Sequence, residues 1–122
     1  MIRILLIDDE PALVDIYKKF LEQAGHEVEV ASDGDEGLRL FAENSYDVVI
    51  TDMLMPNKEG LETILELTEH RSDAKIIAVT GGGIGLGDDL LELAIEFGAK
   101  RALRKPVPMK ELLAVVEEVW SE

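Results

Sequence analysis

Two apolar stretches that each end in aspartate decide how this chain folds: Ile4-Leu5-Leu6-Ile7-Asp8-Asp9 and Val48-Val49-Ile50-Thr51-Asp52. Apolar and β-branched runs of this length are typical of strands buried on both faces, as in a parallel sheet. A carboxylate directly after such a strand lies at the carboxyl edge of the sheet, where open α/β folds bind their ligands. The sequence therefore predicts a ligand site around Asp8, Asp9 and Asp52.

These three carboxylates would crowd one pocket if the two strands are neighbours. Like charges at short range oppose one another's ionisation. A divalent cation that prefers oxygen ligands relieves this repulsion, and Mg²⁺ suits a site with few carboxylates and several waters. We therefore expect Mg²⁺ as the cofactor.

Strand-like and helix-like patterns alternate five times along the 122 residues, without a composition break or a repeat. The pattern predicts strands at 2–7, 27–31, 47–51, 75–79 and 101–104, and helices at 11–25, 34–44, 59–70, 88–97 and 108–120. Such alternation is typical of the α/β class, with a parallel sheet covered on both faces. We expect one domain over residues 1–122: a flavodoxin-like (βα)5 three-layer sandwich with strand order 2-1-3-4-5 and no output domain in this chain. In that order strands 1 and 3 are neighbours.

Composition excludes several classes of protein. The net charge of −14 disfavours nucleic-acid and anionic-membrane surfaces, which need a basic footprint. The absence of cysteine excludes disulfide scaffolds, thiolate metal sites and thiol catalysis. No apolar run reaches the roughly 20 residues of a membrane span, and the first strand leaves no room for a signal peptide. We expect a cytoplasmic protein without nucleic-acid or membrane partners.

Two further polar residues end predicted strands at the same edge of the sheet. Thr80 ends the fourth strand, and Lys105 follows the fifth. A hydroxyl, an ammonium, three carboxylates and a metal form a site for a phosphoryl group, whose oxygens the cations would neutralise while a carboxylate attacks phosphorus. A single aspartate at a strand end is usually a turn former or a helix cap, and a single lysine is usually solvated. Five such residues in register are hard to explain in that way.

Over essentially its whole length the chain resembles the response-regulator receiver domains of two-component signalling. The matching segments are Ile7-Asp8-Asp9-Glu10, Thr51-Asp52-Met53-Leu54-Met55-Pro56 with Gly60, Val79-Thr80, Gly98-Ala99 and Lys105-Pro106. The resemblance implies a phosphoacceptor module that takes a phosphoryl group onto Asp52 from a sensor histidine kinase or a histidine phosphotransfer protein. It also implies that the protein is not an enzyme on other substrates and catalyses only its own phosphorylation and dephosphorylation.

The same resemblance assigns roles to the site residues. Asp9 and Asp52 would bind Mg²⁺ directly, together with the backbone carbonyl of Met53, while Asp8 would act largely through water. Thr80 and Lys105 would contact the phosphoryl oxygens, and the Lys105–Pro106 bond would be cis, as X–Pro bonds can be. A face made by helix 4, strand 5 and helix 5 would switch and bind a downstream protein, or a second copy through the 88–120 region.

The chain departs from the family pattern at two places. Ala102 stands where receivers usually carry a strand-5 tyrosine or phenylalanine that turns inward on activation. Glycines crowd the segment 81–87, which fits neither a dinucleotide fingerprint nor a P-loop because the spacing fails and no Lys-Ser/Thr follows. We expect a flexible loop there, whose mobility serves switching in place of the missing ring.

Three alternatives remain open at this point. A phosphohydrolase with an aspartyl nucleophile would need a second acidic residue two positions after Asp52, where Leu54 stands. A flavodoxin-like electron carrier would need a Ser/Thr-rich loop after the first strand, where Glu10-Pro11 stand. A receiver-like binding module without phosphotransfer would not need the intact set of five residues.

Residues outside this set receive structural interpretations. His26 and His70 are isolated from other metal ligands, so we expect surface histidines. Trp120 shares the last helix with Leu112 and Val116, so we expect it in the core. Helix 88–97 is apolar over an unusually wide arc, which predicts exposed side chains among Leu91, Leu93 and Ile95 and hence a protein-contact face.

Overall fold

The buried strands assemble into one parallel sheet, as the apolar runs predict. The computed structural model of the protein describes residues 1–53, 60–81 and 87–122. The strand order is β2-β1-β3-β4-β5, which confirms the predicted flavodoxin-like topology. The strands are β1 (Arg3–Ile7), β2 (Glu27–Ala31), β3 (Val48–Asp52), β4 (Ile76–Thr80) and β5 (Arg101–Arg104). Both faces of β1, β3 and β4 are covered, since all but one of their residues are buried.

Five helices form the outer layers of the sandwich. They are α1 (Pro11–Gln23), α2 (Gly34–Glu43), α3 (Gly60–His70), α4 (Gly87–Phe97) and α5 (Met109–Ser121). Helices α1 and α5 enclose one core with Tyr17, Leu21 and Val116, and α2, α3 and α4 enclose the other with Phe41 and Leu67. Side chains therefore alternate between two cores along each central strand.

Local sequence signals fix where helices begin and end. Pro11 occupies the first turn of α1, where its missing N–H costs nothing. Asp33 caps α2 by accepting a hydrogen bond from the Glu36 N–H at 2.9 Å, and the Glu36 carboxylate accepts one from the Ser32 N–H at 3.1 Å. This reciprocal pair resembles a capping box. Gly25, with φ of 94°, ends α1 in the left-handed region that glycine adopts without strain.

Some predictions about burial are wrong. Trp120 is 45% exposed, because Leu112, Val116 and Val119 form the buried face of α5 and Trp120 lies at the margin of that face. His26 is largely buried: Nδ1 accepts a hydrogen bond from the Ile2 N–H at 3.1 Å, and Nε2 lies 3.2 Å from Glu117. The expected exposure on helix 88–97 is confirmed by Ile95, which is 48% exposed.

Two segments used in the predictions lie outside the described residues. One holds Leu54, on which the phosphohydrolase alternative depends, and the other holds the glycines between 82 and 86, where a flexible loop is expected. Within the described ranges, no helix combines the length and the hydropathy that crossing a bilayer requires.

Candidate functional site

Asp8 and Asp52 meet at the carboxyl edge because β1 and β3 are neighbours. The parallel register pairs Ile7 with Thr51, one residue before each aspartate. Both aspartates are buried, at 5% and 4% relative exposure. Burial disfavours a charged carboxylate, and a second carboxylate nearby disfavours it further, so the pair requires a cation.

The ammonium of Lys105 supplies that cation in this structure. Its Nζ lies 3.0 Å from Asp8 Oδ2, 3.2 Å from Asp52 Oδ2 and 2.9 Å from Glu10 Oε1. Burial alone lowers the pKa of Lys105. Hydrogen bonds to Glu10 and Asp8, with the charges of Asp52 and Asp8, outweigh that effect and raise the pKa above its usual value. Lys105 therefore stays protonated across the physiological pH range.

Pairing between β4 and β5 extends to Lys105. The Lys105 N–H donates to the Thr80 carbonyl oxygen at 2.8 Å, which continues the pairing of β4 with β5 beyond the register Thr80–Arg104. The Lys105–Pro106 peptide bond is cis, which confirms that prediction. The side chain then crosses the edge of the sheet from β5 to β1 and β3.

Glu10 belongs to this cluster, although it is not among the predicted site residues. Its backbone N–H donates to Asp8 Oδ1 at 3.0 Å, while its carboxylate accepts from Lys105. Carboxylate oxygens of Asp8, Glu10 and Asp52 lie within 4.8 Å of one another. The sequence gives only a weak signal: Glu10 precedes Pro11 at the predicted helix start, where Ser, Thr, Asp or Asn are favoured. In the structure the Glu10 side chain makes no capping hydrogen bond.

The remaining predicted site residues take different positions. Thr80 is fully buried at the end of β4, one strand away from Asp52, whose register partner is Val79. Asp9 is exposed and lines a shallow cavity of about 340 Å³ beside Asp8. Within the described part of the chain, Asp9 is not a member of the close carboxylate cluster. Asp8 and Asp52 are thus brought to Lys105, and Asp9 lies at the rim.

Met53 directly follows Asp52, and backbone hydrogen bonds fix its position. The Met53 N–H donates to the Val79 carbonyl oxygen at 2.9 Å, and the Met53 carbonyl oxygen accepts from the Gly60 N–H at 3.1 Å. A carbonyl oxygen has two lone pairs, so one remains for another partner. Gly60 is required at the start of α3, because a Cβ there would lie 2.4 Å from Met53 Cα.

This donor set fits a hard divalent cation. The cluster of Asp8, Glu10 and Asp52 could hold a metal ion, and all of its ligand atoms are oxygens, as is the Met53 carbonyl. Oxygen-only ligands favour Mg²⁺, Ca²⁺ or Mn²⁺ over softer metals. An ammonium, a metal and carboxylates at one edge can bind a phosphoryl group and offer it a nucleophile.

Comparison with known proteins gives a consistent result. The family model described as response regulator receiver domain matches residues 4–117. The transcriptional regulatory protein CpxR of Klebsiella pneumoniae is 35% identical in an alignment 127 positions long, which covers 100% of this chain and 53% of CpxR. The chain thus spans about half the length of the curated relatives it matches.

Two solved structures extend the comparison. A response regulator receiver domain protein from Clostridium thermocellum superposes with a TM-score of 0.92 at 39% identity, covering 99% of this chain and 95% of that one. The beryllofluoride-activated NtrC4 receiver domain dimer, determined in solution, gives a TM-score of 0.89 at 27% identity, covering 99% of this chain and 98% of that one.

Proposed function

The chain belongs to the response regulator receiver domain family of two-component signalling, and from that membership we propose that it accepts a phosphoryl group on Asp52. The donor is a phosphohistidine on a sensor histidine kinase or on a histidine phosphotransfer protein. The reaction depends on Mg²⁺, and the protein acts as a signalling module that catalyses only its own phosphorylation and dephosphorylation.

One observation carries the choice of Asp52 as the acceptor. Asp52 ends the middle strand β3, with Asp8 on one side and the Thr80 and Lys105 strands on the other. Its carboxylate is buried yet already 3.2 Å from the Lys105 ammonium. Asp8 ends β1, one strand further from the Thr80 and Lys105 strands, and its Oδ1 accepts from the Glu10 N–H.

The residues divide the chemistry between them. An Asp52 carboxylate oxygen bonds to phosphorus, the phosphorus–nitrogen bond to the donor imidazole breaks, and its electron pair leaves with that nitrogen. Lys105 turns toward the phosphoryl oxygens and stabilises their charge, and the Thr80 hydroxyl donates a hydrogen bond to another of them. Mg²⁺, held by Asp9, Asp52 and the Met53 carbonyl with Asp8 acting through water, would supply Lewis-acid neutralisation of the same oxygens.

The output follows from the face formed by α4, β5 and α5. Ile95 and Phe97 on α4 are 48% and 37% exposed, so this helix presents apolar surface that a partner can cover. A receiver dimer exists among the solved relatives in the beryllofluoride-activated state. We propose that phosphorylation changes this face so that it binds a downstream protein or a second copy. Ala102 has no ring to turn inward. The Thr80–phosphoryl hydrogen bond therefore supplies much of the free-energy difference between the inactive and the activated conformation.

Mass spectrometry of the intact protein tests this function. Incubation with acetyl phosphate or phosphoramidate and Mg²⁺ should add one phosphoryl group, and EDTA should prevent the addition. Asp52→Asn should remain unmodified, while the matched variant Asp47→Asn, an exposed aspartate just before β3, should react as the wild type does. Stoichiometric modification of Asp52→Asn would refute the assignment.

A further inference from the structure

Glu10 reaches the ammonium of Lys105 from outside the buried pocket. The Glu10 side chain is 59% exposed, whereas those of Asp8 and Asp52 are each 4% exposed. All three carboxylates accept from one Nζ, at 2.9 to 3.2 Å. An ammonium has three protons, so these three acceptors satisfy it completely.

The Lys105 ammonium is bound by the same carboxylates that could bind a metal ion. Carboxylate oxygens of Asp8, Glu10 and Asp52 converge within 4.8 Å, with Nζ among them. Two cations that share the same carboxylates repel each other, and short distance and burial strengthen the repulsion. Occupation of the site by a metal therefore requires the ammonium to give up Asp8 and Asp52.

We infer that Glu10 is a positioning residue, which keeps the Lys105 ammonium at the rim when Mg²⁺ binds Asp52 directly and Asp8 through water. This inference rests on the function proposed above. Glu10 is suited to the role because its exposed side chain can move with the ammonium, which the buried aspartates cannot do. Its side chain is also uncommitted to the helix, since it makes no capping hydrogen bond at the start of α1.

The surroundings leave room for this movement. Glu10 and Lys105 line the same cavity of about 390 Å³, together with Leu13, Tyr17 and Gly81. The Tyr17 hydroxyl donates to the Val107 carbonyl oxygen at 3.2 Å, which fixes the wall of this cavity where α1 meets the β5–α5 connection. A lysine kept at this rim stays within reach of the oxygens of a phosphoryl group on Asp52.

Removal of the Glu10 carboxylate should weaken metal binding through Lys105. With glutamine there, the ammonium keeps Asp8 and Asp52 as its only charged acceptors in the cluster, so it stays with them more strongly and competes more with Mg²⁺. We expect Glu10→Gln to raise the Mg²⁺ dissociation constant about tenfold, at the lower end of the effect of residues that orient metal ligands. The substitution keeps the backbone N–H that donates to Asp8, so the loss reports on the side chain alone.

A double-mutant cycle separates this role from the alternatives. Mg²⁺ affinity is measured by isothermal titration calorimetry, without any phosphoryl donor, for the wild type, Glu10→Gln, Lys105→Met and the double variant. If Glu10 acts through Lys105, Glu10→Gln changes the affinity less than about twofold in the Lys105→Met background. Glu22→Gln, the same charge change near the far end of α1, should bind Mg²⁺ as the wild type does.

Three other results would overturn the inference, and one of them would also refute the proposed function. An equal loss in both backgrounds overturns the inference, because Glu10 would then act as a direct ligand or by charge alone. An unchanged affinity of Glu10→Gln also overturns it, while wild-type Mg²⁺ binding leaves the proposed function intact. A wild type that binds no Mg²⁺ refutes the proposed function and the inference with it. Lys105→Gln replaces Lys105→Met in the cycle if circular dichroism shows the methionine variant to be unfolded.

Discussion

Gly60→Ala is the substitution whose effect on the site can be worked out most directly from the structure. A Cβ at this position would lie 2.4 Å from Met53 Cα and 2.8 Å from the Asp52 carbonyl oxygen. Both are backbone atoms, so the overlap can be relieved only if the chain moves at the end of β3. That movement would displace the Met53 carbonyl and the Asp52 carboxylate, which the proposed metal site needs.

The magnitude follows from two opposing effects. Overpacking of this kind costs about 1–3 kcal/mol, and backbone contacts belong in the upper half of that range. Alanine is favoured over glycine by about 1 kcal/mol inside a helix, and this offsets little of the cost because Gly60 is the first residue of α3. We expect a net loss of about 2 kcal/mol, which lowers Tm by roughly 8 °C for a domain of this size.

Thermal melts with and without Mg²⁺ measure both consequences. Gly60→Ala should lower Tm and also lose most of the rise in Tm that Mg²⁺ gives the wild type. Gly37→Ala is the matched control, because its Cβ would lie 2.4 Å from Cδ1 and 2.8 Å from Cγ1 of Ile7, which are side-chain atoms and not backbone atoms of the site. That variant should keep the Mg²⁺-dependent rise. The reasoning is wrong if Gly60→Ala melts within about 1 °C of the wild type and keeps the full response to Mg²⁺.

Two further predictions concern other parts of the molecule. Burial raises the pKa of Tyr17, and burial with the hydrogen bond to Glu29 raises that of Tyr46. Raised pKa values mean that the folded state holds these protons more tightly, so the stability they contribute is present below about pH 10 and is lost as pH rises further. Phenolate absorbance should therefore titrate at higher pH in the native protein than in guanidinium, and coincident titrations would contradict this. Ile95→Glu should change the unfolding free energy by less than about 0.5 kcal/mol, because Ile95 is exposed, and should prevent the self-association that we expect beryllofluoride to induce in the wild type. Light scattering measures the self-association. A variant that associates as strongly as the wild type would argue against α4 as the contact face.

The sheet and its edge could be predicted because each depends on local sequence. The runs Ile4–Ile7, Val48–Ile50 and Ile76–Val79 are apolar without a break, which is the pattern of central parallel strands. Once the strand order places β1 beside β3, the meeting of Asp8 with Asp52 follows from geometry alone. The topology and the family are confirmed by the fold and by the comparison with known receivers.

Features that depend on long-range contacts could not be predicted. The contact between Glu10 and Lys105 joins residues 95 positions apart, and it depends on the direction in which the lysine leaves β5. Trp120 has the spacing of a core residue on α5. The neighbouring Val119 is fully buried, however, and Trp120 lies roughly 100° further around the helix, at the margin of the buried face. Periodicity indicates which face of a helix is apolar, and it carries no information on how far the neighbouring elements cover the margin of that face.

The placement of the site on β1, β3 and β4 has a consequence for how variants lose activity. These strands are enclosed by both helical layers, so their amides should exchange with solvent only when the whole domain unfolds. The spacing of Asp8, Asp52 and Thr80 would then be lost in a single cooperative step. A core mutation far from the edge would reduce the number of folded molecules while each of them reacts normally. In a cell, such a mutation would weaken the signal through the abundance of the protein and leave its chemistry unchanged.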